Sequence, residues 1–248
     1  MGRLYDQIGM SYATTRRADP RIAAAIDGAL GDAWSVVNVG AGTGAYEPAD
    51  RDVLAIEPSA MMIAQRPPTA APSVQAPAEA LPIPDDSFDA ALAVNTVHHW
   101  TDVQVGVREL RRVARKRVVI FLRNPSAAAR FWLADYFPAL ERTDRMAAIV
   151  ALIENELRTR STLPVPLPHD CMDGLFSAYW ARPEMYLANE VRKNISNFAL
   201  AAEEDVRDGL ARLRDDLESG EWDRRYGKFR ALPKLDLGHR LFITELET

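Results

Sequence analysis

Apolar residues in this chain recur at two different periods. From Arg21 to Leu30, Ile22, Ala25, Ile26 and Ala29 fall at helical spacing behind Pro20, a residue suited to a first helical turn, and predict an amphipathic helix. Ser35 to Val39 is instead a short apolar run with three valines that stops abruptly at Gly-Ala-Gly-Thr-Gly, as a buried strand entering a tight loop would. Val53 to Ile56, Phe88 to Val94 and Arg117 to Leu122 repeat the pattern, at lengths that suit interior strands of a parallel sheet.

Helical segments are predicted between these runs, from Ser59 to Gln65 and from about Asp102 to Arg115. The passage from Pro67 to Pro84 holds six prolines and leaves room only for a brief strand around Ser73 to Gln75. Alternation of this kind implies an α/β fold with a doubly wound, mostly parallel sheet and helices on both faces. Beyond Leu122 the pattern becomes helical near Ala127 to Tyr136, Arg142 to Arg160, Glu203 to Ser219 and Glu221 to Phe229, the expected material of a largely helical cap inserted before the last strand. A strand pair near Leu163 to Leu167 and Gly238 to Leu246 is expected to complete the sheet. The chain thus reads as one domain over 1–248, with an N-terminal helical lid (1–30), a ligand-binding core (31–125), a cap (126–235) and a final strand (236–248).

Composition narrows the function classes. A formal charge of −5 gives no overall attraction for phosphate backbones or anionic lipid, so nucleic acid and membrane are not expected as partners. Cys171 is the sole cysteine, which excludes an intrachain disulfide and a cysteine zinc cluster. No stretch approaches a membrane span, and the charged opening residues lack the apolar core of a signal peptide, so a cytoplasmic setting is expected. No ligand-spaced cluster indicates a metal.

Gly40, where the first strand meets its glycine-rich turn, begins the chemistry, because glycine permits positive φ and lets a ligand approach the main chain. Glu57 ends the second strand, where a carboxylate can accept from both hydroxyls of a ribose. Together they suggest an adenosine-containing ligand. Gly40, Gly42 and Ala45 also satisfy the G-x-G-x-x-G/A pattern of dinucleotide sites, so an NAD(P)-dependent oxidoreductase is an alternative.

The wider context separates the two. VVNVGAGTG, VLAIEPS and AEALPIPDDSFDAALAVNTVHHW, in that order between Val36 and Leu122, resemble the class I S-adenosylmethionine-dependent methyltransferases, especially the branch that includes quinone-biosynthesis and many natural-product enzymes. The resemblance implies a Rossmann-like core that binds S-adenosylmethionine and releases S-adenosylhomocysteine. Gly40, Ala41, Gly42 and Gly44 would wrap the methionine part, Glu57 the ribose, and Pro58 with Met61 or Met62 the adenine. Ala78, Glu79 and Ala80 would cap the adenine edge, with Asn95 and Thr96 near the sulfonium. The opening LYDQIGMSYATTR resembles the segment that folds over the cofactor and would bring Tyr5, Tyr12 and Arg16 to its methionine end. Asn38 departs from the family, which usually carries a carboxylate there; an amide can accept a hydrogen bond but brings no charge.

Methyl transfer from a sulfonium requires mainly alignment and exclusion of water, with a base for acidic acceptors. His98 and His99, just past the fourth strand, are the candidates for that base, and His169 is a further one. Phe131, Trp132, Tyr136, Phe137, Phe176, Tyr179, Trp180, Tyr186 and Phe198 supply aromatic surface for a small apolar or aromatic acceptor. A protein that binds S-adenosylmethionine without transferring methyl is a second alternative, and a monomer or homodimer is expected.

Overall fold

The computed structural model describes residues 17–127, 130–141, 143–159 and 161–246. The apolar runs become strands β1 (Ser35–Val39), β2 (Asp52–Ile56), the two-residue β3 (Ser73–Val74), β4 (Phe88–Val94) and β5 (Ala114–Arg123), all parallel. Later in the chain come β6 (Ser161–Pro164), β7 (Leu167–Pro168), β8 (Lys234–Leu235) and β9 (His239–Glu245). The seven-stranded sheet has the order β3-β2-β1-β4-β5-β9-β6, with β9 antiparallel to both its neighbours, and β7 and β8 form a separate ribbon.

Helices α1 (Pro20–Leu30), α2 (Ala60–Ala64), α3 (Val103–Val113), α4 (Thr143–Leu157), α5 (Glu203–Ser219) and α6 (Glu221–Tyr226) complete the layers. Each of the first three begins with a side-chain cap: Asp19 accepts from the Arg21 amide, Ser59 from that of Met62 and Asp102 from that of Val105. Alternate strand residues serve opposite faces. Val36, Leu92 and Phe121 join Ile22, Ile26 and Leu30 of α1 and the cap's Trp132, Trp180 and Trp222 in one core. Val37, Val39, Ala91 and Ile120 join Leu110 and Val113 of α3 and Ile153 and Leu157 of α4 in the other.

The second half of the chain departs from its expected reading in two places and shifts a strand in a third. α4, expected in the cap, covers the sheet beside α3, because Ile149, Val150, Ile153 and Leu157 give it one apolar stripe. Among the described residues the expected helix near 127–136 is not formed; short 3₁₀ turns stand at Pro125–Ala127, Trp132–Asp135 and Pro138–Leu140. There the consecutive Phe131, Trp132, Leu133 and Ala134 are all buried, with Tyr136 and Phe137, so no one-sided helical stripe is available, and Pro125 and Pro138 bound the segment. The strand expected near Leu163 to Leu167 does join the sheet at its edge as β6, but it ends at Pro164, and Leu167 pairs instead in the separate β7–β8 ribbon. Among the described residues, no helix is long and apolar enough to cross a membrane.

Candidate cofactor-binding site

The chain runs from β1 outward to β2 and β3, then returns to β4 on the other side of β1. Sheets of this design open a crevice beyond the carboxyl ends of the strands where the order reverses. A cleft lies there. Of the residues singled out in the sequence, Gly40, Ala41, Gly42, Glu57, Pro58, Met62, Ala78, Glu79, Asn95, Thr96 and His99 line it. Gly44, Met61, Ala80 and His98 are not among its lining residues, and Ala80 is exposed. Tyr5, Tyr12 and Arg16 lie outside the described residues.

The glycine turn is built by its own backbone. Gly40, Gly42 and Gly44 all have positive φ, at 71°, 54° and 88°. The amides of Gly40 and Ala41 both donate to the carbonyl of Ile56, at 2.8 and 3.1 Å, tying the turn to the end of β2. A Cβ on Gly40 would stand 2.1 Å from Oγ1 of Thr96, so only glycine lets the β1 turn and the β4 turn approach this closely.

Glu57 faces the turn from β2. Its Oε2 accepts from the Gly42 amide at 2.7 Å and its Oε1 from the Ser59 amide at 2.9 Å. Burial pushes its carboxyl up from the ordinary glutamate value, while those two amides and the charge of Arg66 pull it back. Each oxygen keeps a further lone pair, which is what two ribose hydroxyls would need. Asn38, at the base of the turn, is 3% exposed and also lines the cleft. Its Oδ1 is buried, with no hydrogen-bond partner among the described residues.

Across the cleft, Asn95 follows β4 with φ of 52°, a left-handed conformation that asparagine adopts more readily than most residues. Its amide donates to the Phe121 carbonyl at 2.7 Å. The 3₁₀ turn Val97–His99 then brings the two imidazoles to 3.9 Å between ring centres, and only His99 reaches the cleft wall. Glu79 accepts from the amides of Thr101 and Asp102 at 2.6 and 3.0 Å, closing the 77–80 loop onto the start of α3.

The sequence reading missed Thr43, Tyr46, Ser59, Trp100 and Thr101 in the cleft wall. Thr43, Ser59 and Trp100 lie inside the quoted motifs without being given a role, and Tyr46 and Thr101 lie one or two residues beyond one. Conversely, among the described residues the wall holds none of the nine cap aromatics. Eight of them are buried, and Trp132, Tyr136, Tyr186 and Trp222 pack edge to face within the core that α1 and the sheet share. The aromatic acceptor pocket expected from them is therefore not formed by them. His169 is exposed at the surface beside Asp170.

Comparison with known proteins fits this geometry. A methyltransferase domain family matches residues 37–122, the stretch from β1 through β5. A crystal structure from Anabaena variabilis, assigned to the methyltransferases of an antibiotic biosynthesis pathway, is 36% identical with a TM-score of 0.85, over 94% of this chain and 99% of that one. The chain belongs to the class I S-adenosylmethionine-dependent methyltransferases. A rice chloroplast 2-methyl-6-phytyl-1,4-hydroquinone methyltransferase is 36% identical over 64 residues, 26% of this chain but only 19% of its own length. An S-adenosylmethionine-dependent methyltransferase from Thermotoga maritima shares the fold, with a TM-score of 0.51 at 19% identity over 67% of this chain and 83% of that one.

The residues present suit the family's cofactor. The turn of positive-φ glycines leaves the backbone open to a ligand, and Glu57 keeps lone pairs that would suit vicinal hydroxyls. Among the described residues, no group of His, Cys, Asp and Glu is placed to hold a metal ion.

Proposed function

We propose that this protein transfers the methyl group of S-adenosylmethionine to a small apolar or aromatic organic acceptor. The observation that carries the reading is the cleft at the reversal of strand order, where the glycine turn, Glu57 and Asn95 converge. When bound, the cofactor supplies a methyl group already activated by its sulfonium. The chain's own part is to fix and shield. Glu57 and the glycine turn hold the nucleoside and amino-acid ends, Met62 and Ala78 flank the base, and Asn95 and Thr96 mark the end at which an acceptor enters. His99 takes the proton from a phenolic or acidic acceptor, while His98, off the cleft wall, supports the turn that carries it. Tyr46 and Trp100 give the wall aromatic surface, and the rice relative's name points to a quinol as one acceptor class.

The test is incubation with methyl-labelled S-adenosylmethionine and a panel of phenols, quinols, carboxylic acids and amines. Label is expected in an organic-extractable product, and His99→Ala should lower kcat for acidic acceptors at least tenfold. Full turnover by that variant would remove His99 from proton transfer. Tight cofactor binding with no label transferred to any acceptor, or to extracts fractionated by size, would favour a binding protein over a transferase. Stabilisation by S-adenosylhomocysteine and not by NAD(H) is expected in thermal melts.

A further inference from the structure

Among the described residues the cleft wall is drawn from Asn38 to Thr101, so no residue of the cap faces it directly. Tyr46 is where wall and cap nevertheless meet. Its Oη donates to Oδ2 of Asp173, a fully buried carboxylate on a cap loop, at 2.7 Å, and accepts from the Asp19 amide at 3.3 Å. The same loop is pinned beside it, since the Met172 amide donates to Asp19 Oδ2 at 3.1 Å and Arg182 Nη2 to the Cys171 carbonyl at 2.8 Å. Three segments far apart in the chain thus converge on one phenol.

That convergence decides what Tyr46 shows the cleft. With its proton given to a buried acid, the side chain offers ring rather than hydroxyl. Packing does not hold the ring on every side, because Ala45 and Tyr46 also line a second groove, against Ala23 and Ile26 of α1. The hydrogen bonds fix it between the two spaces. A buried carboxylate is costly to keep, and a phenylalanine wall would need none, so the acid serves the ring's orientation. The two large aromatic residues of the wall also belong to different cores: Trp100, with Ala78, to that of α3 and α4, and Tyr46 to that of α1 and the cap. We infer that Tyr46 is a specificity-determining residue, its ring the surface on which a flat aromatic acceptor lies across the cleft from the cofactor's base, and that Asp173 is a positioning residue through which the cap holds that ring. This rests on the methyltransferase reading, in which Met62 and Ala78 flank the base.

Calorimetry on the full chain saturated with S-adenosylhomocysteine tests this, with 1,4-hydroquinone and its saturated counterpart 1,4-cyclohexanediol as probes. The parent should bind the flat ring better than the puckered one, and Tyr46→Leu should cut that preference at least about threefold. Asp173→Ala, which frees the hydroxyl, should cut it likewise. Asp173→Asn, which still offers an oxygen to the hydroxyl, should keep it within about twofold of the parent. A residue that only held the fold together would move both probes alike. A parent with no preference for the flat ring, or a preference that survives Tyr46→Leu or Asp173→Ala, would overturn the inference. Should Asp173→Ala fail to fold, Tyr46→Phe breaks the same bond from the ring's end and takes its place. Failure of the parent to bind S-adenosylhomocysteine at all would instead bring down the methyltransferase reading, and this inference with it.

Discussion

Glu57 does two things with one carboxylate. It organises the glycine turn through the Gly42 amide, and it presents the remaining lone pairs to the cleft. Burial raises its pKa above the ordinary 4.5. The ionised form is the one that accepts hydroxyl protons, so affinity for S-adenosylhomocysteine should be full well above the raised value and fall as pH drops through it. That fall begins at a higher pH than an ordinary glutamate would give, and calorimetry over a pH series would trace it; a fall no earlier than an ordinary glutamate's would contradict it. For the protein without ligand the sign is reversed. A carboxyl whose folded pKa is raised favours folding while protonated, and that contribution is lost as pH rises from the ordinary value through the raised one.

Among the elements, α3 shapes the cleft through a contact on its first turns. A Cβ on Gly106 would lie 2.4 Å from Cε3 of Trp100, so the missing side chain is what lets the indole lie against the helix and form cleft wall. Gly106→Ala should raise helix propensity yet push the ring into the cleft, an overpacking of about 1–3 kcal/mol that lowers S-adenosylhomocysteine affinity roughly fivefold or more. Affinity and far-UV circular dichroism measured together would separate the two effects. The same elements show what a sequence reveals. β1, β2, β4 and most of β5 are legible because strands covered on both faces must be apolar at nearly every position. Gly40 and Glu57 are legible because each sits where such a run stops. Trp100 and Tyr46 are not, since a loop residue's partner depends on which chain segments meet at the sheet's edge. The cap aromatics mislead for a related reason: a ring suited to a ligand pocket is equally suited to a core, and here the core takes them.

The molecule as a whole leans on buried acids. Burial works against the charge of Asp19, but hydrogen bonds from Arg21 and from the Met172 amide outweigh it and hold the carboxyl down at about 2. Arg115, with the amides of Trp34 and Ser35, holds Asp89 well below the usual carboxylate range. Both stabilise the fold above the ordinary aspartate value of 3.8, and that contribution disappears as pH falls through the lowered folded values. Urea midpoints should therefore drop steeply below about pH 4, and Asp89→Asn should flatten that part of the curve while lowering the midpoint at pH 7.

One continuous core runs from α1 through Val36, Leu92 and Phe121 of the sheet to Trp132, Trp180 and Trp222 of the cap. A cap joined to the sheet in this way resists swinging out like a door, because swinging would strip water-averse rings from their neighbours. Traffic of cofactor and acceptor must then pass through small rearrangements of the turns around the crevice, and its speed should be insensitive to mutations that soften the cap's interior.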